Sequence, residues 1–133
     1  MATAAKLGIG TLFKRAGTTI AEVTSIGGPN LTADQVDVTN MDSPNQFREF
    51  IYGLKDGGEI TLGFNFLNDA TQKSLASDLQ NRVTSAYSIV WPFAGNPTWT
   101  FSGIVTAFGV DTGAADAITG SATIKLTGDV TLA

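Results

Sequence analysis

The side chains that most often carry chemistry in proteins are scarce in this sequence. Its 133 residues include no histidine and no cysteine. Disulfides, thiolate zinc sites, imidazole metal ligands and histidine-based catalytic triads are therefore excluded. Catalysis would have to rest on carboxylate, lysine, tyrosine or hydroxyl groups, and no close constellation of them is apparent. We therefore expect a protein that is not an enzyme and that holds no cofactor and no metal.

Two short segments come nearest to a ligand-binding motif. The Gly- and Ala-rich segment 111–119 holds two aspartates five residues apart, which falls far short of the ligand set of a calcium loop. Gly8 and Gly10 are followed by Lys14, but no strand precedes them and neither spacing of a phosphate-binding loop is present. We therefore interpret segment 111–119 as a mobile loop and discard the phosphate site.

The charge balance argues against further classes of function. Eight basic residues stand against twelve acidic ones, a net charge of -4, which leaves no positive surface for sustained nucleic-acid binding. Charged residues make up only 15% of the chain, against about 25% in ordinary globular proteins, and this indicates that partners cover part of the surface. No run of about 18 uncharged apolar residues is present, so we expect a soluble intracellular protein with no membrane contact.

Most of the chain is predicted to form strands. Residues 59–66 alternate strictly between apolar and polar or small side chains, the pattern of a strand with one buried face. Residues 121–132 alternate almost as strictly. Runs rich in Thr, Val, Ile and aromatic residues predict further strands at 19–26, 34–39, 87–93 and 98–108. The first two of these runs flank a Gly-Gly-Pro-Asn turn cluster and are predicted to be neighbours.

One amphipathic helix is predicted between the strands, over residues 70–82. Asp69 is placed to cap its N-terminus, and Gln72 stands in the position of a capping-box partner. An apolar stripe at helical spacing is predicted to dock on the sheet, with partner binding as the lesser alternative. The stripe consists of Leu75, Ala76, Leu79 and Val83.

These elements predict a mainly β fold in one domain spanning residues 1–133. The expected architecture is a β-sandwich or open barrel whose single α-helix covers one end or edge. Segment 1–17 follows neither regular period and is predicted to be an extended N-terminal arm. Segment 40–58 is predicted to be a long projecting loop, because turn residues surround an irregular aromatic and charged stretch.

The aromatic stretch of this loop is the strongest candidate for a binding surface. Large apolar side chains without a regular period are costly to expose and are typical of interface anchors. The alternative is packing against the core of the same subunit. For the N-terminal segment, contact of its cations with acidic neighbours stands against a frayed terminus. The predicted subunit interface comprises Phe47, Arg48, Phe50, Ile51, Tyr52, Leu54, Lys14 and Arg15.

Four stretches in this order carry a resemblance to a known family. They are 18–26 running on to Pro29, 37–44, 48–60, and the closing strand 120–132 with Asp-Ala-Ile before it. Together they resemble the major tail tube proteins of long-tailed, non-contractile phages of the siphovirus type. Members of this family also occur in prophages and in gene transfer agent particles.

The resemblance implies a structural virion protein with a small β-sandwich and one helix. Six copies would close into a ring, and stacked rings would form the hollow tail tube that conducts DNA from the capsid to the host. The implied location is the virion tail, with assembly in the host cytoplasm. The implied partners are other copies of the chain and the tail initiator, tape measure and terminator proteins. DNA would pass without specific binding.

A tube also needs a lining, and the polar faces of two predicted strands are the candidates. Short neutral and acidic side chains would keep a wall smooth toward DNA, because attraction to each phosphate would add friction. The alternative is an ordinary solvated sheet face. The predicted lumen-facing residues are Glu59, Thr61, Asn65, Thr98, Thr100 and Ser102.

Two further functions compete with the tail tube reading. One is a ring protein of the same fold from a type VI secretion system or a contractile particle. The other is a monomeric β-sandwich binding module, for example for carbohydrate, with Tyr87, Trp91 and Trp99 as an aromatic platform. Strand periodicity places both tryptophans on the same faces as Ile89 and Phe101, which favours core positions over a platform.

Overall fold

The computed structural model describes residues 8–132, which are mainly β with one α-helix. A short 3-10 turn covers Pro44–Gln46. The helix is α1 (Ala70–Asn81). The strands within these residues are β1 (Leu12–Arg15), β2 (Thr18–Thr19), β3 (Val23–Gly27), β4 (Thr32–Asp37), β5 (Phe50–Asp56), β6 (Glu59–Asn65), β7 (Thr84–Val90), β8 (Thr98–Asp111) and β9 (Thr119–Thr131).

Seven strands form one antiparallel sheet in the order β2-β1-β7-β8-β9-β6-β3. The sheet curls, so that β1 and β3 come into contact although they lie near its opposite ends. The predicted mainly β fold with an open barrel and one helix is thereby confirmed. The remaining strands, β4 and β5, form a separate two-stranded sheet.

The prediction that segments 19–26 and 34–39 are neighbouring strands is wrong. The first contains β3, which pairs with β6, whereas the second overlaps β4, which pairs with β5. The turn cluster between them marks the ends of both strands but does not specify their partners. Strand β6 (Glu59–Asn65) alternates, so it offers β3 a longer apolar face than β4 would offer. Burial of that face decides the pairing of β3 with β6.

The core lies inside the curl of the sheet. Its strands supply one face each, as shown by the register in which Ile60 pairs with Ile124 and Leu62 with Ala122. Aromatic rings fill the part toward β1, where Phe13 stacks on Tyr87 with ring centroids 5.7 Å apart. The fully buried large side chains are Tyr87, Phe13, Phe64, Ile60, Leu62, Leu75, Ile89, Ile124 and Gln72.

Helix α1 begins as the sequence predicts. The Asp69 carboxylate accepts a hydrogen bond of 2.8 Å from the Thr71 backbone N–H, which satisfies one of the donors that a helix start leaves unpaired. The helix ends at Asn81, and Arg82 follows in a left-handed conformation with φ +56°. This turn sends the chain directly into β7.

The capping-box role predicted for Gln72 is wrong. Its side chain is fully buried and joins three backbone groups of two loops. It accepts from the Leu67 N–H at 2.9 Å and donates to the carbonyls of Ala21 and Asn65 at 2.9 and 2.7 Å. Buried backbone groups without partners cost about 1–3 kcal/mol each. The Gln72 amide therefore stabilises the fold more by pairing these three groups than it would by capping the helix.

The apolar stripe of the helix docks on the sheet only in part. Leu75 is buried, whereas Leu79 and Val83 stay exposed. The prediction for these two residues is wrong. The helix turns Gln72 and Asp78, three residues on either side of Leu75, toward the core instead of Leu79, and it ends at Asn81 before Val83 is reached. Val83 therefore lies beyond the helical face that covers the core.

Both segments predicted to be irregular contain a strand. Of the predicted arm 1–17, residues 1–7 lie outside the described residues, and Leu12–Arg15 form β1, paired with β7. Phe13 draws this stretch into the sheet, because it is fully buried in the core. Within the predicted loop 40–58, Phe50–Asp56 form β5. Its apolar side chains occupy both faces, so the alternation that identifies a half-buried strand is missing.

Candidate assembly surface

The two-stranded sheet forms a hairpin that stands apart from the seven-stranded sheet. We call residues 32–56 the hairpin arm. In its register Asp37 pairs with Phe50, Val36 with Ile51, and Gln35 with Tyr52, and a bulge follows between residues 33 and 35. An isolated two-stranded hairpin has little stability of its own in water. The arm therefore needs further contacts on at least one of its faces.

Exposed apolar side chains cover the hairpin arm. Phe47, Tyr52 and Leu54 expose 72%, 86% and 83% of their surface, and Phe50 and Ile51 about half of theirs. The alternative in which these residues pack into their own subunit's core is therefore wrong. Arg48 is exposed beside them. Contiguous apolar exposure of this kind marks an interaction site in soluble proteins.

The apolar side chains lie on both faces of the arm. Alternation along β5 places Phe50, Tyr52 and Leu54 on one face, which we call the aromatic face. Ile51 and its cross-strand partner Val36 lie on the opposite face. Both faces are therefore available for contacts with other molecules.

The root of the arm is fastened to β9. The Asp56 carboxylate accepts from the Gly58 N–H at 2.7 Å and from Lys125 Nζ at 2.8 Å. Both bonds lower the pKa of Asp56, and the bond from Lys125 has the larger effect. The Gly58 carbonyl in turn accepts from the Leu126 N–H at 3.0 Å. The direction in which the arm projects is thus set by β9.

The Gly58→Ala variant is expected to destabilise the protein more than Gly17→Ala. Both glycines have a left-handed φ, +76° and +85°, so each alanine costs about 1–2 kcal/mol in backbone strain. At Gly58 the added Cβ would also lie 2.5 Å from the Asn30 carbonyl oxygen, whereas nothing lies within 4 Å at Gly17. Overpacking adds about 1–3 kcal/mol. Urea unfolding of both variants measures the difference, and equal losses would contradict a tightly packed root.

The tip of the arm, residues 38–49, is closed by its own polar side chains. The Asn40 N–H donates to Ser43 Oγ at 3.0 Å, and Ser43 Oγ donates to Glu49 Oε2 at 2.8 Å. The Glu49 N–H donates to Thr39 Oγ1 at 2.8 Å. With its backbone held in this way, the tip presents Phe47 to solvent.

The two cations predicted for the interface have different surroundings. Arg15 is bound inside the subunit, where its Nε and Nη2 contact the two carboxylate oxygens of Asp78 at 2.7 and 2.6 Å. This contact lies within one subunit, and the predicted role of Arg15 between subunits stays a prediction. Lys14 points away from the core on β1, beside Ser88 and Thr19 of the neighbouring strands.

Asp78 forms the centre of a buried polar network under the helix. Only 3% of its side chain is exposed, and besides Arg15 it accepts from the Tyr87 hydroxyl at 2.7 Å. Burial by itself would raise the pKa of Asp78, but the hydrogen bonds from Arg15 and Tyr87 outweigh it and hold this pKa below the ordinary value of 3.8. Burial and the bond to Asp78 raise the pKa of Tyr87. Asp78 is therefore a charged carboxylate that accepts hydrogen bonds from two donors, Arg15 and Tyr87.

Acidification is expected to weaken the fold below about pH 4. The pKa of Asp78 is lower in the folded chain than its ordinary value of 3.8, so the unfolded chain binds the proton first as the pH falls. The stability that this carboxylate contributes is present above pH 3.8 and is lost as the pH falls through the folded pKa. Urea unfolding across this range should give a shallower pH dependence for Asp78→Asn than for the unmodified chain. Identical slopes would contradict the contribution of Asp78.

The six residues predicted to line a tube lie on one face of the sheet, opposite the core. On β6 and β8 they alternate with buried residues such as Leu62 and Phe101. Strand β9 lies between them, with Thr123 beside Thr61 and Thr127 beside Ser102. We call this surface the polar face. The structure thus brings together all six: Glu59, Thr61, Asn65, Thr98, Thr100 and Ser102.

The strands that form the polar face carry almost no positive charge. Strands β6, β7, β8 and β9 contain a single cation, Lys125. Its ammonium group forms an ion pair of 2.8 Å with Asp56, and in the register it stands opposite Glu59. The polar face therefore offers no cluster of cations that could hold phosphates.

Other kinds of site find little support in residues 8–132. No group of three or more acidic residues is arranged to hold a metal ion in this part of the chain. Its helix is also too short to cross a membrane. The aromatic platform of a binding module cannot include Tyr87, which is buried. Trp91 and Trp99 are half-buried and pack edge to face, with ring centroids 5.5 Å apart.

The curled sheet, the projecting arm and the polar face can be compared with known proteins. A family model described as the lambda phage tail tube protein matches residues 11–133. The chain belongs to this family. It is therefore a structural virion protein of the tail, as the sequence resemblance implied. A sequence search of the curated proteins found no match for this tail tube protein.

Solved structures share the fold of this tail tube protein at low sequence identity. The tail of an empty gene transfer agent particle, refined with C6 symmetry, has a TM-score of 0.79 at 16% identity, covering 97% of this chain and 99% of that one. The sheath/tube terminator of an extracellular contractile injection system has a TM-score of 0.73 at 14% identity, with 99% of both chains covered. The SPP1 tail tube has a TM-score of 0.63 at 14% identity, covering 89% of this chain and 72% of that one.

Sequence reasoning missed one feature of the tail tube protein's surface. Leu79 and Val83 were predicted to be buried, yet they line a groove together with Ile104. Ile104 occupies a polar-face position of β8, where the alternation predicts a polar residue. That exception to the pattern is the signal that could have identified the groove.

Proposed function

We propose that this chain assembles into rings of six, which stack into the hollow tail tube and conduct DNA from the capsid to the host. The main support for this proposal is the hairpin arm. Its apolar side chains are exposed in the single subunit and need a partner surface. Membership of the tail tube family supports other copies of the chain as that partner. The C6 symmetry of the gene transfer agent tail supports six copies.

Strand geometry is compatible with a channel wide enough for a duplex. If each of six subunits contributes four strands, the ring is a barrel of about 24 strands. At about 4.8 Å between strands and a tilt of about 40°, its backbone diameter is roughly 48 Å. Inward side chains take about 10 Å of this diameter. The remaining space admits DNA without contact at every base pair.

We place the polar face toward this channel, except at Ile104, which lines a groove with Leu79 and Val83 at the end of the helix. On β6, β8 and β9 the side chains of the polar face are mainly short and neutral or acidic, and the one cation of these strands, Lys125, is paired with Asp56. Such a lining repels DNA weakly, and DNA therefore slides past successive rings without being held. Catalytic turnover has no part in this function.

The interface between subunits is assigned to the hairpin arm, with Phe47, Arg48, Phe50, Ile51, Tyr52 and Leu54, and to Lys14 at the edge of the sheet. Assembly takes place in the host cytoplasm on a tail initiator, around a tape measure protein, and ends with a terminator. A contractile or secretion-system particle with the same fold is the second candidate. The likeness to the contractile terminator supports it, whereas the lambda family model favours a non-contractile tail.

Sedimentation of the purified protein tests this function. The expected species have masses that are multiples of six times 13.8 kDa, about 83 kDa. Their share should rise with protein concentration, since assembly follows mass action. A single species of 13.8 kDa at all concentrations, even after addition of a tail initiator complex, would contradict the proposal.

A further inference from the structure

An apolar groove lies where helix α1 ends against the edge of β8. It has a volume of about 400 Å³. Leu79, Val83 and Ile104 line it, and all three are partly exposed. We call it the helix groove. Three apolar side chains around one concavity are costly to leave in water, so the groove fits an apolar occupant.

The helix groove also carries a positive charge. Arg82 lies on its rim, in the left-handed turn that ends the helix. The neighbouring carboxylate of Asp78 is already bound to Arg15 and Tyr87. Among residues 8–132 the Arg82 guanidinium has no hydrogen-bond or ion-pair partner. An occupant with a carboxylate beside its apolar part would therefore suit the groove.

The hairpin arm has this combination of properties. Its residues 32–56 include five acidic and two basic side chains, a net charge of -3. On the aromatic face, Asp37 stands directly opposite Phe50, so a carboxylate lies beside the apolar side chains. Tyr52 and Leu54 continue this face and are almost fully exposed.

The symmetry of rings and tubes requires two different surfaces to meet. A closed ring of more than two subunits and a stack of rings both use heterologous contacts, in which one patch meets a different patch of the next copy. The arm therefore needs a complementary patch elsewhere on the chain. Leu67 and Ile118 are also exposed, but Asp69 and Asp116 beside them would repel an acidic arm.

We infer that the aromatic face of one subunit's hairpin arm docks in the helix groove of a neighbouring copy. Phe50 and Tyr52 fill the space between Leu79 and Ile104, and Asp37 pairs with Arg82. This docking rests on the proposed function and adds to it the surface that receives the arm. It also explains why the end of the helix stripe stays uncovered in the single subunit.

Two complementary variants test the docking. Tyr52→Asp places a carboxylate on the aromatic face of the arm and leaves the groove intact. Ile104→Asp places a carboxylate in the groove and leaves the arm intact. Each variant alone is expected to remain monomeric. In an equimolar mixture the intact arm of one meets the intact groove of the other, but no further subunit can add. The mixture should therefore form a heterodimer of about twice 13.8 kDa, about 28 kDa by sedimentation.

The outcomes separate the docking from the function on which it rests. A mixture that stays monomeric, while the unmodified protein assembles, overturns the docking and leaves the tube function in place. An unmodified protein that never assembles overturns the tube function and the docking with it. Circular dichroism checks that each variant is folded, and Val83→Asp replaces Ile104→Asp if the latter is not.

Charge exchange gives an independent test. Asp37→Arg and Arg82→Asp each place like charges together and should raise the concentration needed for assembly at least about tenfold at low salt. The double variant restores opposite charges in exchanged positions and should recover most of this loss. A loss in the double variant that equals the sum of the two single losses would overturn the pairing of Asp37 with Arg82.

Discussion

The Tyr52→Asp variant is expected to abolish tube assembly while the subunit keeps its β-rich fold. Tyr52 exposes 86% of its surface in the single subunit, so the substitution removes no core contact. If the hairpin arm forms the subunit interface as proposed, the same position is covered in the tube, and an unpaired carboxylate buried there costs about 3–5 kcal/mol. Because each 1.4 kcal/mol is a factor of ten, the concentration needed for assembly should rise at least about 100-fold. Phe50→Asp should behave in the same way.

Thr100→Asp is the matched control for this prediction. It adds the same charge to an exposed residue, but on the polar face, which we propose to line the channel and where the carboxylate would stay in water. Light scattering at increasing concentration compares the variants, and circular dichroism verifies the fold. Normal assembly of both Tyr52→Asp and Phe50→Asp would contradict the assignment of the hairpin arm to the subunit interface.

The Asp78→Ala variant is expected to cause the largest loss of stability among substitutions of charged residues. It leaves the guanidinium of Arg15 without its partner and the buried hydroxyl of Tyr87 without its acceptor. Removal of one partner from a buried ion pair costs about 3–5 kcal/mol. For a small domain with a total stability of about 5–15 kcal/mol, this is a large fraction.

Asp116→Ala provides the comparison, because Asp116 is exposed in the loop between β8 and β9. Its effect should stay within about 0.5 kcal/mol. The free energy of unfolding, measured in urea at neutral pH, compares the two variants with the unmodified chain. A loss of less than about 1 kcal/mol for Asp78→Ala would show that the network under the helix is not a stabilising feature.

The strands with one buried face could be predicted from the sequence. Strict alternation in 59–66 and 121–132 fixed both the type of these elements and the side that faces the core, and β6 and β9 follow it. The helix start could be predicted because Asp69 acts on a group only two residues away. Signals of this kind are local, and local geometry is what a sequence pattern carries.

Features that depend on distant parts of the chain could not be predicted in this way. Arg15 and Asp78 are 63 residues apart, and neither residue marks the other as its partner. Gln72 joins loops that only the tertiary fold brings together. The pairing of β4 with β5 was missed because two exposed faces erase the alternation on which strand prediction depends.

For the assembly surface, the sequence indicates which side chains are unsuited to water but not what covers them. Irregular apolar residues in 47–54 predict an interface, and their exposure in the single subunit agrees with it. The identity of the receiving surface depends on the geometry of several copies. The helix groove could not be predicted from Leu79 and Val83, because they follow the same helical period as the buried Leu75.

Electron microscopy of the concentrated, purified protein can show directly whether this chain forms a tail tube. We expect hollow rings and stacked tubes with a central channel, formed by the unmodified protein and absent from Tyr52→Asp. Averaged end views should show six subunits around the channel. A field of small particles without channels, at concentrations at which the protein is fully folded and a tail initiator is present, would contradict assembly into a tail tube.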